Sequence, residues 1–342
     1  MHRVCNVMDN RRTINTSEIE CPPSAQTTKE VVEEADFLDS QNPRMKALLE
    51  TVKRAAAADT TILLTGESGT GKDVLACQIH RWSSRSSGPF VVINCATLPE
   101  QLLENDLFGH VRGAFTGALN DKPGRLEAGH TGTVFFDEIA DIPVTLQTKF
   151  LRFIQERSFE RVGSNHTLTV NVRLLAASKR NLEAEMAAGR FREDLYYRLN
   201  VITVVLPPLR ERTEDILALA NCRMRQVSVA VNSPGLSISP EAAEMLLRYH
   251  WPGNLRELHN ALEHAATLTR TPTIMIADLP DTVRNSDSGI SLTSARRTRL
   301  KDFEREHILR VMAETPTLGQ AAATLGINVT TLWRKRRHYG IA

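Results

Sequence analysis

The chain has 342 residues, of which 42% are apolar and 24% are charged. This length suggests two or three domains of about 100–200 residues each, and the apolar fraction is sufficient for buried cores. Lys and Arg number 42 against 40 Asp and Glu, so the chain is close to neutral. Overall charge therefore excludes a generally basic molecule, and affinity for nucleic acid would have to come from a local patch.

The cysteines argue against a disulfide framework and against a zinc site. The five of them are scattered without paired spacing, at Cys5, Cys21, Cys77, Cys95 and Cys222. No segment approaches the apolar length of a membrane span, and the first residues lack the apolar core of a signal peptide. We expect a soluble cytoplasmic protein without a membrane partner.

Composition and periodicity divide the chain into five parts. We expect a disordered or loosely packed tail, an α/β domain, a helical lid without strands, a linker rich in Ser, Asp and Arg, and a small all-α domain. The corresponding ranges are 1–38, 39–210, 211–280, 281–298 and 299–342.

Short apolar runs bounded by turn residues predict a set of parallel strands with helices between them. An apolar helical stripe precedes the first strand, at Met45, Leu48, Leu49 and Val52. The predicted strands are residues 61–64, 89–93, 133–136, 170–177 and 201–206. The expected fold class is α/β with a parallel sheet.

A glycine-rich loop follows the first predicted strand and leads into a helix. Backbone N–H groups of such a loop can surround phosphate oxygens at the positive end of the helix, while Lys72 reaches the β and γ phosphates. The strict pattern has Ser or Thr after the lysine, whereas this chain has Asp73. A glycine-rich turn without a ligand is the plainer alternative. The predicted site comprises Gly66, Glu67, Ser68, Gly69, Thr70, Gly71, Lys72 and Asp73.

An acidic pair and an asparagine follow two other predicted strands. Asp137 and Glu138 come directly after four apolar residues, and Asn94 ends the strand before them. Parallel strands place their carboxyl ends in the crevice where such sheets bind ligands. One carboxylate, Asp137, would hold Mg²⁺, and the other would orient or polarise the attacking water. A charge pair on the surface is the alternative.

The last 44 residues, 299–342, have helix-turn-helix spacing. Small residues precede a turn at Gly326, and Asn328 caps a second helix that runs to about Tyr339. Basic side chains of this helix would line DNA phosphates while its first residues meet base edges; a basic helix without a DNA role is the alternative. The predicted DNA contacts are Asn328, Val329, Thr331, Arg334, Lys335 and Arg337.

ATP binding alone does not require the stretch between the second and third strands, which reads Gly113, Ala114, Phe115, Thr116, Gly117 and Ala118. It resembles the signature loop of bacterial enhancer-binding proteins, the AAA+ activators of sigma-54 RNA polymerase. The resemblance implies that nucleotide state raises this loop and that Phe115 and Thr116 contact the sigma factor. Flanking glycines allow a loop to move between states.

The same resemblance, which covers residues 39–342, assigns further roles. It implies an AAA+ ATPase with ATP and Mg²⁺ as cofactors, in which Glu138 positions water and Asn94 restrains Glu138 until the γ-phosphate is sensed. Arg192 and Arg198 would reach into a neighbouring subunit's site, which implies a ring, expected to be a hexamer. Arg256 would be the sensor arginine of the lid. Double-stranded DNA at upstream activator sites and the sigma-54 RNA polymerase holoenzyme are the implied partners.

Several residues depart from the family pattern. Lys179 stands where the first sensor usually has Asn, and Ser178 replaces Thr. Gly163-Ser164 replaces Gly-Gly in the second pore-facing loop, and Arg336 occupies a position that is usually apolar. The tail is too short for the phosphorylation-receiver domain that two-component regulators of the family carry. We therefore expect control by a separate regulatory protein, by a paired homologue or by the amount synthesised.

Two alternative functions compete with the transcription activator. One is another AAA+ protein that loads or remodels DNA-bound complexes, which would have no reason to carry residues 113–118. The other is a DNA-binding regulator of the same family with an impaired ATPase, supported only by Asp73 and Lys179.

Overall fold

The computed structural model describes residues 40–230, 235–285, 307–312, 315 and 317–339. The predicted tail and residues 286–298 of the predicted linker lie outside the described residues. The chain divides into two compact units, Met1–Arg284 and Asn285–Ala342. In the described part of the chain, no helix combines the length and apolarity needed to cross a bilayer.

The first unit begins with an α/β region. Its helices are α1 (Pro43–Ala57), α2 (Lys72–Arg81), α3 (Glu100–Phe108), α4 (Arg125–Ala128), α5 (Val144–Glu156), α6 (Leu182–Ala187) and α7 (Glu193–Leu199). Its strands are β1 (Ile62–Thr65), β2 (Phe90–Asn94), β3 (Gly109–His110), β4 (Lys122–Pro123), β5 (Thr133–Asp137), β6 (Ser158–Glu160), β7 (Thr167–Thr169), β8 (Arg173–Ser178) and β9 (Ile202–Val205).

Five of these strands form one parallel sheet in the order β2-β5-β8-β1-β9. The predicted parallel α/β fold is therefore confirmed. The fourth sheet strand starts at Arg173 and not at the predicted Val170. Val170 instead bonds to the carbonyl oxygen of Arg157, and the carbonyl of Asn171 accepts from Thr131, so residues 170–172 lie outside the ladder.

Two apolar layers cover the two faces of this sheet. Neighbouring strand residues alternate between them: Phe136 packs in one layer, which also holds Phe150, and Phe135 packs in the other, which also holds Leu75. The Phe136 and Phe150 rings meet edge to face with centroids 4.6 Å apart. Burial on both faces explains why the strands read as nearly continuous apolar runs.

The first unit ends in the helical lid. Its elements are α8 (Thr213–Ala230), β10 (Ser237–Ile238), α9 (Pro240–Arg248), α10 (Asn254–Leu268), β11 (Thr273–Ile274) and α11 (Asp281–Arg284). Trp251 is fully buried in the apolar core of the lid, and its indole N–H donates to the carbonyl of Leu246 over 2.8 Å.

Two predictions about the lid are wrong in detail. The lid does contain strands, because β10 and β11 pair in parallel over two residues each, which is too short to leave a period in the sequence. The linker does not begin at Asp281, since residues 281–284 form α11. Val283 of this helix is fully buried in the apolar core of the lid.

The second unit is helical where it is described. A helical segment over residues 307–312 precedes α12 (Leu318–Thr324) and α13 (Val329–Tyr339). Its core contains Ile308, Val311, Ala321, Ala322 and Leu332. Gly326, with φ of +63°, turns the chain between α12 and α13. The predicted helix-turn-helix is therefore present.

Candidate nucleotide site and its surroundings

Residues 66–71 form the loop between β1 and α2. Gly66, Gly69 and Gly71 all have positive φ angles, which favour glycine. At Gly69 a close approach adds a second requirement, because a Cβ atom there would lie 2.3 Å from the carbonyl oxygen of Gly253. Any side chain at this position would therefore displace either the loop or the start of the lid.

Lys72 is the first residue of α2 and lies at the mouth of this loop. Its Nζ donates to the carbonyl oxygens of Gly66 and Glu67 over 3.0 and 2.9 Å. Burial lowers the pKa of Lys72, and the nearby carboxylates oppose that shift. The Lys72 ammonium therefore lies against the loop, where phosphate oxygens can replace the two carbonyl oxygens as its hydrogen-bond acceptors.

The sheet register brings Asn94 and Asp137 side by side at the carboxyl edge. Glu138 follows with φ of +53°, and its backbone N–H donates to Oδ1 of Asp137 over 3.0 Å. Burial raises the pKa of Asp137, and the negative charges of Glu138 and Asp73 raise it further. These carboxylates are a cluster of negative charge that a bound cation would stabilise.

The donor set at this edge fits Mg²⁺. Among the residues described, no group of three or more His, Cys, Asp and Glu side chains forms a ready-made metal site. Magnesium in nucleotide sites is held by one or two carboxylates together with phosphate oxygens and water. Asp137, half-buried beside the phosphate loop, is the carboxylate suited to this role, and Asp73 lies exposed at the start of α2.

Lys179, immediately after β8, holds the Glu138 carboxylate. The backbone N–H of Lys179 donates to Oε2 over 3.2 Å, and its Nζ lies 3.3 Å from Oε1. Among the described residues, Asn94 makes no hydrogen bond to Glu138, the contact that the resemblance implies; its Oδ1 accepts from the backbone N–H of Ala96. The structure thus brings Lys179, and not Asn94, to Glu138. The role assigned to Asn94 stays a prediction.

The start of the lid is bonded directly to the phosphate loop. The Arg256 guanidinium donates to the Ser68 hydroxyl over 3.0 Å, which places the predicted sensor arginine at the loop. Asn254, which the sequence analysis missed, donates to the Ser68 carbonyl over 3.0 Å. The backbone N–H of Leu255 donates to the Gly69 carbonyl over 2.8 Å. Three consecutive lid residues therefore contact the loop.

Arg210 adds an ion pair that the sequence analysis also missed. Its guanidinium donates to both Glu67 oxygens over 2.8 and 2.6 Å. These hydrogen bonds are the main cause of the lowered pKa of Glu67, with a further hydrogen bond from Asn254. A bidentate arginine-carboxylate pair has a defined geometry. Glu67, although part of the phosphate loop, thus faces the lid.

Arg192 and Arg198 do not meet the phosphate loop of their own chain. Arg192 pairs with Asp194 over 2.7 Å, and its backbone N–H donates to the Gln147 side chain. Arg198 is exposed, and no ion pair among the described residues holds its side chain. Both arginines therefore lie outside the site formed by the loop, the acidic pair and the lid.

The loop over residues 113–118 projects from the α/β region. Gly113 and Gly117 have φ angles of +81° and +106°, and no atom lies within 4 Å of a Cβ placed at either. Phe115 is 43% exposed, and its ring meets that of His110 edge to face with centroids 4.9 Å apart. Thr116 is exposed as well. An aromatic side chain and a hydroxyl are thus presented at the surface.

In the second unit, α13 exposes apolar, polar and basic side chains. Asn328 caps its start by accepting from the Thr330 N–H over 3.2 Å. Val329 and Trp333 are 47% and 54% exposed, and the Arg337 guanidinium lies 5.8 Å from the Trp333 ring centroid. Thr331 and Arg334 are exposed and Lys335 is half-buried. Trp333 was not among the predicted DNA contacts, although its spacing from Val329 and Arg337 places all three on one face.

The strand order, the phosphate loop after β1, the acidic pair at the end of β5 and the helical lid together define an AAA+ P-loop ATPase. Three family models match successive parts of the chain and agree with this assignment. The Sigma-54 interaction domain matches residues 38–205, and the AAA+ ATPase lid domain matches residues 210–295. The domain described as bacterial regulatory protein, Fis family, matches residues 299–339.

The chain is also similar to named regulatory proteins and to solved structures. The chain is 47% identical to the alginate biosynthesis transcriptional regulatory protein AlgB of Pseudomonas aeruginosa over 91% of its own length and 69% of that protein's. It is 41% identical to the regulatory protein AtoC of Escherichia coli over 88% of its own length and 67% of that protein's. Among solved structures, NtrX from Brucella abortus in complex with ADP superposes with a TM-score of 0.67 at 33% identity. That match covers 92% of this chain and 72% of NtrX.

The chain belongs to the sigma-54-dependent transcriptional regulators. It is an ATPase of the AAA+ class joined to a Fis-type DNA-binding domain, and it activates transcription. The match to the Sigma-54 interaction domain sets aside the alternative of an unrelated AAA+ loading factor.

Proposed function

We propose that this chain binds double-stranded DNA at upstream activator sites through α13 and assembles into a ring, expected to be a hexamer. The ring hydrolyses ATP with Mg²⁺ at sites between subunits and remodels the sigma-54 RNA polymerase closed complex through residues 113–118. The observation that carries this proposal is the proximity of Lys72, Asp137 and Glu138, whose charges act on one another at the carboxyl edge of the sheet, on the same domain as the projecting loop.

Each residue at the edge has a distinct task in hydrolysis. The loop N–H groups and Lys72 bind the β and γ phosphates, and Asp137 would hold Mg²⁺, whose positive charge would be supplied next to the phosphates. Glu138 accepts a proton from the attacking water or orients it toward the γ-phosphate. Arg256, bonded to Ser68, lies close enough to respond to the phosphates. The remaining cations come from the neighbouring subunit.

The ring is tested by mixing two inactive variants. We expect Lys72→Ala and Arg198→Ala each to lose ATP turnover, because one lacks its phosphate contact and the other lacks the arginine that completes a neighbour's site. A mixed ring places an intact phosphate loop beside an intact Arg198, so mixing should restore part of the turnover.

Turnover per subunit of the unmixed wild-type protein should also rise steeply with concentration, measured as phosphate release. If light scattering detects rings in the mixture but ATP turnover is not restored, the site is complete within one chain. Arg190→Ala is the matched control, since that exposed arginine pairs with Glu185 in its own chain.

The DNA role of α13 is tested through the salt dependence of binding. Arg334→Ala should weaken binding to upstream DNA and reduce the slope of log K against log salt by about 0.9, the value for one phosphate contact. Fluorescence anisotropy over a salt series measures it. Arg310→Ala, in the helical segment over residues 307–312, is the control and should leave the slope unchanged. A slope that is unchanged in Arg334→Ala would place this residue away from the DNA backbone.

A further inference from the structure

Gln147 is a polar residue at a core position of α5. The helix also buries Leu146, Phe150, Phe153 and Ile154, and Gln147 itself is fully buried. An amide in such surroundings costs free energy unless its donors and its acceptor are hydrogen-bonded. A glutamine at this position therefore indicates that the side chain makes specific hydrogen bonds.

Three hydrogen bonds to the backbone satisfy the Gln147 amide. Its Nε2 donates to the carbonyl oxygens of Ile142 and Arg190 over 3.0 and 2.9 Å. Its Oε1 accepts from the backbone N–H of Arg192 over 2.8 Å. Two carbonyl oxygens on one side and an N–H on the other determine which end of the amide is the oxygen. One side chain thus joins the segment after the acidic pair to the segment before α7.

The first of these segments is attached to the acidic pair. Ile142 lies four residues after Glu138, at the end of a short helical turn. In this turn the Asp141 N–H donates to the Glu138 carbonyl over 2.9 Å, and the Ile142 N–H donates to the Ile139 carbonyl over 3.3 Å. The Ile139 and Ile142 side chains are buried. The place of the Ile142 carbonyl relative to Glu138 is therefore fixed by the turn itself.

The second segment carries Arg192, one of the two arginines proposed to reach a neighbouring subunit. The N–H groups of Arg190 and Phe191 donate to the Glu185 carbonyl over 2.9 and 3.3 Å, and Phe191 is buried. Arg192 is the cap residue at the start of α7, where backbone N–H groups have no partner within the helix. Gln147 supplies that partner. The Arg192 side chain is 42% exposed, so the backbone is what places it.

We propose that Gln147 is a positioning residue that fixes Arg192 relative to the acidic pair of its own chain and so presents Arg192 to the nucleotide site of the neighbouring subunit. The inference rests on the ring and on the action of Arg192 between subunits, both part of the proposed function. Ile142 is held by its own turn, whereas Arg192 is exposed. Loss of the amide therefore affects the neighbour's site and not the site of its own chain.

The test places Gln147→Met in one or the other subunit of the mixed ring. The Lys72→Ala subunit is the donor, because it lacks turnover of its own but keeps both arginines. The Arg198→Ala subunit is the acceptor, whose phosphate loop is intact. Adding Gln147→Met to the donor should lower the restored turnover at least about tenfold. An arginine supplied by a neighbour contributes about 10³–10⁵ in kcat, and a displacement of about 1 Å loses part of that contribution.

Adding Gln147→Met to the acceptor should leave the restored turnover unchanged, because the acceptor's own arginines face sites that are already inactive. An unchanged acceptor arm also shows that the substituted subunit folds and enters rings. Equal losses in the two arms would mean that Gln147 supports its own chain's site or the fold in general, and the inference would be wrong. Full restoration with the substituted donor would overturn it as well.

Gln155→Met in the donor is the matched control. Gln155 is an exposed glutamine on the same helix, so its replacement makes the same chemical change away from the Arg192 backbone. The restored turnover should equal that of the unsubstituted donor. Light scattering confirms that rings are present in each mixture.

Gln147→Glu provides the same test if Gln147→Met subunits do not enter rings. The glutamate keeps the shape of the side chain and the oxygen that accepts from the Arg192 N–H. It places a second oxygen, instead of a donor, against the carbonyls of Ile142 and Arg190. A loss in the donor arm alone is again expected, and equal loss in both arms would count against the inference.

A donor that carries Lys72→Ala together with Arg192→Ala separates this inference from the proposed function. If it restores turnover as fully as Lys72→Ala alone, Arg192 does not act between subunits and that part of the proposed function fails. If it restores at least about tenfold less while the Gln147→Met donor restores fully, Arg192 acts between subunits without Gln147, and only the inference fails.

Discussion

Glu138→Gln is expected to bind ATP and to hydrolyse it at least about a hundredfold more slowly than the wild type, the usual contribution of a group that accepts a proton in the transition state. The amide retains the size of the side chain and removes the charge that polarises water. Phosphate release measures turnover, and titration with a fluorescent ATP analogue measures binding. Binding should be retained because the phosphate contacts come from residues 66–72.

Glu104→Gln is the matched control for this substitution. Glu104 lies on α3 and pairs with the exposed Lys149, so its replacement removes a carboxylate and an ion pair without altering the sheet edge. We expect wild-type turnover in this control. Turnover in Glu138→Gln equal to that of the control would remove Glu138 from the catalytic role and would leave Asp137 as the only acidic candidate at the end of β5.

Thr116→Ala is expected to abolish transcription from a sigma-54 promoter while ATP turnover and ring assembly persist. The reason is geometric: Thr116 is exposed on a projecting loop. The described residues that contact the phosphate loop lie elsewhere, at the end of β8 and between Arg210 and Arg256. Loss of its hydroxyl therefore affects the partner and not the nucleotide. Open-complex formation, measured by permanganate reactivity of promoter DNA, should fall to background.

Thr51→Ala is the control for the loop variant. Thr51 is an exposed threonine on α1 whose hydroxyl donates to the Ala47 carbonyl, so its loss leaves the projecting loop unchanged. Transcription in Thr51→Ala should equal that of the wild type. Normal open-complex formation by Thr116→Ala would contradict the assignment of residues 113–118 as the contact with sigma-54.

The fold class could be predicted because the strands are short, apolar and bounded by turn residues. Phe135 and Phe136 pack on opposite faces of the sheet, and both faces are covered, so the run of apolar residues before Asp137 identified a buried parallel strand. The same reasoning identified the edge at which Asn94 and Asp137 stand side by side. The prediction that the lid has no strands was wrong, because strands of two residues are too short to show an alternating apolar pattern in the sequence.

The contacts within the site could not be predicted, since they join residues far apart in sequence. Arg210 meets Glu67 across 143 positions, and nothing local to either residue indicates the other. The pairing of Lys179 with Glu138 depends on the register of β5 against β8. The family pattern identifies Lys179 as unusual, but it does not indicate that the carboxylate paired with Lys179 is that of Glu138. The roles of Arg192 and Arg198 remain predictions, because one chain does not contain both sides of the proposed site.

The hydrogen bonds and the ion pair between the phosphate loop and the lid couple the positions of these two parts. Gly69 has no room for a side chain beside Gly253, and Glu67 is clamped by Arg210, so the lid cannot turn about the core without pulling on the loop. Thermodynamic linkage then requires reciprocity: an agent that favours one lid angle changes nucleotide affinity by the same factor by which nucleotide favours that angle. A regulator that binds the lid and favours one lid angle would therefore change the nucleotide affinity of the ATPase without contacting the phosphates.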